Sequence, residues 1–75
     1  MEELDWKALS RVAESPEGRR LVALLKAERE ECRDHLERCR DASEVARLQG
    51  QAAALAELIE KLEQARDVVD KRFTQ

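Results

Sequence analysis

Cys32, His35 and Cys39 carry the side chains of this sequence best suited to metal chemistry. On a helix, their steps of three and four residues put all three on one face. Thiolate sulfur and imidazole nitrogen are good zinc ligands, and a second copy of the chain could supply a fourth. The stretch from Cys32 to Cys39 nevertheless spans about 10 Å along a helix axis, too far for one ion to gather all three groups. The spacing therefore favours two small apolar fillers with His35 at the edge of their stripe. No metal or cofactor is expected, and a small metal-binding bundle is kept only as an alternative. The same spacing excludes a Cys32–Cys39 disulfide within one helix, because bridged Cα atoms lie within roughly 7 Å. A bridge between copies stays open, although free thiols in a reducing, cytoplasmic setting are the simpler expectation.

Other catalytic constellations are missing. A di-iron bundle needs Glu-x-x-His pairs, but Cys32 stands three residues before His35, and Glu31 stands four before it. One histidine, with no nucleophile elbow and no phosphate-cradling glycine loop, leaves nothing from which to assemble covalent or phosphoryl chemistry. Acidic neighbours such as Glu30 and Glu31 read as a solvated helix surface. The chain is not expected to be an enzyme.

Basic residues occur as the brief groups Arg19-Arg20, Arg38 with Arg40, and Lys71-Arg72, within a formal net charge of −3. That balance lacks the positive field of a nucleic-acid binder. Arg38, Arg40 and Arg72 sit near helix C-termini, where the dipole favours cations. Arg19 and Arg20 sit near a helix N-terminus, which the dipole does not explain. They are therefore possible docking residues, and the basis of an alternative reading as a nucleic-acid-associated packaging accessory. Trp6 is the other candidate docking residue, because exposed tryptophan often anchors an interface. Its competing role is packing over the neighbouring helices.

The elements that would position these groups are helical. Charged residues make up 41% of the 75 positions, among many Ala, Leu, Glu, Arg and Gln, a mixture typical of long helices. A domain this short buries only about 60% of its unfolded surface and is marginal without help. No apolar run approaches the roughly 20 residues of a membrane span. The start, Met1-Glu2-Glu3-Leu4-Asp5, has none of the basic and apolar character of a secretory signal. A cytoplasmic protein is expected, in the host-cell cytoplasm if phage-encoded.

Two punctuation marks divide the chain into three segments of one domain. At Ser15-Pro16-Glu17-Gly18, Ser15 suits an N-cap and Pro16 the first helical turn. At Asp41-Ala42-Ser43-Glu44, Asp41 and Glu44 have capping-box spacing, with Ser43 as a rival cap. The expected helices are a short one over 2–14 and long ones over 16–40 and 42–73. In the first, Trp6, Leu9 and Ala13 share a face with Val12 beside them. In the second, Leu21, Leu24, Leu25, Cys32, Leu36 and Cys39 form a stripe that Glu28 and His35 interrupt. The third is the most periodic: Val45, Leu48, Ala52, Leu55, Ile59, Leu62, Val69 and Phe73 alternate steps of three and four, broken at Arg66. Leu58, Ala65 and Val68 widen that stripe. Gly50 lies opposite it, as a tolerated defect or a point of close backbone approach.

A connection of a few residues makes the long helices antiparallel neighbours. The expected fold is all-α: an antiparallel helical hairpin with a short N-terminal helix, paired with a second copy as a four-helix bundle that covers the wide stripe. Val45, Leu48, Ala52, Leu55, Leu58, Ile59, Leu62, Val69 and Phe73 are the expected oligomer interface. The expected partners are a second copy and another protein, with no membrane and no nucleic acid. Non-enzymatic protein–protein interaction or assembly is the expected function.

Ser15-Pro16-Glu17-Gly18-Arg19-Arg20-Leu21, Asp41, the run Ala46-Arg47-Leu48-Gln49-Gly50, and the pairs Ala54-Leu55 and Leu58-Ile59 together carry a resemblance covering residues 15–60. The chain resembles short helical-hairpin proteins encoded among structural and DNA-packaging genes of tailed bacteriophages and prophages. The resemblance implies a phage or prophage accessory or structural-module protein. It transfers no functional residue, because most such proteins have no assigned activity. Arg19 and Arg20 occupy a region where many members carry an aromatic. The helix expected through Phe73 replaces their frequent Leu-Leu-x-x-Pro tail.

Overall fold

Ser15 is where the chain turns its first corner. The computed structural model describes residues 2–72 and places three helices there: α1 (Glu3–Glu14), α2 (Pro16–Arg38) and α3 (Ala42–Arg72). Of the described residues 93% are helical, and none is in a strand. Ser15 closes α1 and opens α2 at once. Its hydroxyl donates to the Val12 carbonyl at 2.7 Å and accepts the Gly18 N–H at 2.9 Å. Extended backbone at Ser15 and the fixed φ of Pro16 then start α2 in a new direction. One side chain thus satisfies orphan groups of both helix ends.

Gly18 sets how α2 sits on α1. It is buried, and a Cβ built on it would lie 1.5 Å from the Val12 carbonyl oxygen. Only glycine allows that approach. With Gly18 facing inward, a turn of about 100° per residue carries Val22, Leu25, Arg29, Cys32 and Leu36 to the same side. Those residues are buried or half-buried, whereas Leu21 and Leu24 are exposed. The expected α2 stripe is corrected accordingly: Leu25, Cys32 and Leu36 belong to it, and Leu21 and Leu24 do not. In α1, likewise, Ser10 is buried and Val12 is exposed, although the sequence suggested Val12 beside Trp6, Leu9 and Ala13.

α2 stops at Arg38, two residues before the expected end at Arg40. Cys39 adopts extended backbone, and its Sγ–H points to the Asp41 carbonyl at 3.8 Å. Asp41 caps α3: its Oδ1 accepts the N–H of Ser43 at 2.8 Å and of Glu44 at 3.3 Å. Ser43 is therefore inside the helix. The return half of a capping box is absent because the Glu44 carboxylate binds Arg47 instead.

α2 and α3 pack antiparallel, joined on one side by an ion pair between Lys26 and Glu63 at 2.6 Å. α1 packs mainly on α3, and meets α2 less extensively. α3 is thus the shared support, and the Cα envelope is long and flat, 51 × 23 × 14 Å. The buried apolar residues are Cys32, Leu48, Ile59, Leu62 and Ala65. Among the described residues, no atom beyond its own helix turn lies within 4 Å of a Cβ built on Gly50.

Candidate functional site

The helix rotations fixed by Gly18 and Asp41 scatter the reactive side chains. Cys32 is buried between helices, His35 is exposed one turn later, and Cys39 is half-buried in the turn. Both cysteines are free thiols, and no group of three or more His, Cys, Asp or Glu among the described residues is placed to hold a metal ion. The intended common face does not exist as one surface, because α2 ends before Cys39.

Trp6 is half-buried and lines a shallow groove on α3 with Glu57, Glu60, Lys61 and Gln64. It is a packing residue whose edge stays accessible. Arg19 and Arg20 are exposed in the first turns of α2. Arg19 borders an open hollow at the α1–α2 corner, lined also by Ala13, Glu14, Val22, Leu62 and Glu63. Two carboxylates on that rim offset its charge.

The α3 stripe is divided between roles. Leu48, Ile59 and Leu62 are buried by the chain itself, and Val45, Ala52, Leu55 and Val69 are half-buried. Leu58 is 45% exposed. Phe73 lies outside the described residues, as do the side chains of Arg66, Lys71 and Arg72. Part of the stripe expected as the oligomer interface is thus covered within the chain, as a surface shared with the hairpin mate requires. α1 supplies the additional neighbour that a bare hairpin lacks, and it covers much of the same width.

A different apolar surface is left open. On α1, Leu4, Ala8 and Val12 repeat every four residues on the outer side, all exposed, with Leu4 at 75%. Beyond the corner, Leu21 and Leu24 extend the exposed apolar character along α2. On α1, Glu3 and Asp5 lie in the first turn, where Lys7 pairs with Glu3 at 2.8 Å, and the last turn carries both Arg11 and Glu14. Sequence periodicity alone missed this outer stripe because two apolar faces compete on a twelve-residue helix, and only packing decides which is inner.

Inside α2 one polar atom is out of place. Arg29 lies on the inward face, and its Nε is buried without a hydrogen-bond partner. At the turn, Arg47 hydrogen-bonds Glu44 and holds that carboxyl below its ordinary range. The same bond raises the Arg47 guanidinium.

The sequence matches no family model, and neither a curated protein nor a solved structure is similar to it at a significant level. No helix among the described residues is long and apolar enough to cross a membrane.

Proposed function

We propose that this protein is a non-enzymatic interaction or assembly module that works as a homodimer. The observation that supports this most is exposed apolar surface: Leu4, Val12, Leu21, Leu24 and Leu58 all lie open on a flat arrangement in which α1 and α2 share α3. A small core, with no large side chain among the described residues completely enclosed, makes external help valuable.

The scatter of Cys32, His35 and Cys39 supports a binding rather than a chemical role. An accessory or structural module of a phage or prophage assembly is the setting proposed for this protein, from the resemblance that residues 15–60 carry. A nucleic-acid role through Arg19 and Arg20 has less support, because Glu14 and Glu63 share the rim of the hollow that Arg19 borders. Thermal unfolding at several protein concentrations tests the homodimer. For a dimer that unfolds to two chains, Tm rises as concentration rises. A Tm independent of concentration over a hundredfold range contradicts it.

A further inference from the structure

We infer that the Ser15 corner is the device that keeps α1 on its own chain, and that opening it hands α1 to the α3 of a second copy. This exchange reuses the α1–α3 contact already in the fold, so it goes beyond the homodimer proposed above and does not require it.

Three features meet at one atom, the Val12 carbonyl oxygen. In a continuous helix the N–H of residue 16 would bond to it. Pro16 has no N–H to give, and its ring would collide with that carbonyl. The Ser15 hydroxyl donates to the same oxygen instead, at 2.7 Å. Gly18 then approaches so closely that a Cβ on it would lie 1.5 Å from that oxygen. Pro16 is the single proline of the chain, and Ser15 is the single non-helical residue between Glu3 and Arg38. The flanking Ala13, Glu14, Glu17, Arg19, Arg20 and Leu21 are good helix formers. With alanine at 16 and 18, the Val12 carbonyl regains its helical donor and the turned approach of Gly18 is blocked.

The turned form seats Trp6 beside Glu57, Glu60, Lys61 and Gln64, and brings Ala13 to the hollow that Leu62 also lines. Straightened, the 12 residues of α1 would run about 18 Å further along the α2 axis, away from that seat. Trp6, Leu9 and Ser10, half-buried or buried in the turned form, would lose their cover, and the α3 surface beneath them would open. A second copy in the same state offers the matching pair of surfaces. Exchange of α1 therefore restores every lost contact without a new one.

The test replaces both helix breakers, P16A/G18A, and asks whose α3 holds Trp6. Isotope-filtered NOE spectroscopy on an equal mixture of labelled and unlabelled chains separates contacts within a chain from contacts between chains, and Trp6 is the one tryptophan. Wild type is expected to show Trp6–α3 contacts within a chain. P16A/G18A is expected to show them between chains, in a particle of about twice the 8.6 kDa of one chain, at undiminished helicity. Contacts within a chain in the variant, or between chains already in wild type, overturn the inference. So does a helical variant in which Trp6 touches neither α3. If P16A/G18A loses helix content, P16A, which keeps Gly18, decides by the same contacts. The wild-type mass does not enter, so a monomeric wild type removes the homodimer and leaves the exchange standing.

Discussion

Gly18 of α2 meets the main chain of Val12 in α1 so closely that a methyl group on its Cα would overlap the Val12 carbonyl oxygen, at 1.5 Å. That contact, reinforced by the two Ser15 hydroxyl bonds, fixes the corner between the helices. Gly18→Ala should therefore destabilise the fold by about 3 kcal/mol or more, because backbone rather than a flexible side chain must move. Gly50→Ala is the control. With open space around it, the change should stabilise α3 by about 1 kcal/mol. Urea unfolding of the two variants checks both signs, and a Gly18→Ala protein as stable as wild type would refute the corner.

Arg29 should be replaceable at a gain. Its buried Nε lacks a partner, and an unsatisfied donor costs about 1–3 kcal/mol. Arg29→Met keeps an unbranched apolar stem at this half-buried position and removes the donor. The expected result is equal or higher stability, by up to about 1 kcal/mol, in urea unfolding. A loss above that size would mean that the guanidinium does something the fold depends on.

Asp41 and Ser43 compete in the sequence for one cap, and the structure separates them. Asp41→Ala removes the acceptor for two N–H groups at the start of α3 and should cost about 1 kcal/mol. Ser43→Ala, one residue inside the helix start, should change stability by only a few tenths of that. Equal losses in thermal unfolding would return the choice of cap to Ser43.

Glu44 titrates under the hold of Arg47. Its folded pKa lies below the ordinary 4.5, so the bond favours folding above that pH, and the contribution fades as pH falls through the lowered value. The pair is on the surface, so the effect on overall stability is small. Carboxyl NMR should show Glu44 titrating below the ordinary 4.5, and Arg47→Ala should move it back up. An unchanged midpoint in Arg47→Ala would show that the bond is not formed in solution.

The helices were legible because their ends carry strong local chemistry. Ser15-Pro16 and Asp41 act over three residues, and caps depend on little else. The rotation of each helix was less legible. Leu21 and Leu24 look like core by hydrophobicity, yet Gly18, which has no side chain to signal anything, turns them outward. Ser10 is buried and Val12 exposed because α1 presents both a mixed face and an apolar one, and its length does not decide between them. The α3 repeat is legible as a period in the sequence, but its coverage by α1 depends on a contact between segments far apart in the chain. The metal question turned on a helix end: Cys39 leaves the face of Cys32 and His35 because α2 stops one residue earlier.

Self-association is the claim on which the functional reading depends, and sedimentation equilibrium reaches it most directly. Across micromolar concentrations the mass should approach twice the 8.6 kDa of one chain, with reversible dissociation on dilution. A single species of 8.6 kDa that stays fully helical at the highest concentration would contradict the account.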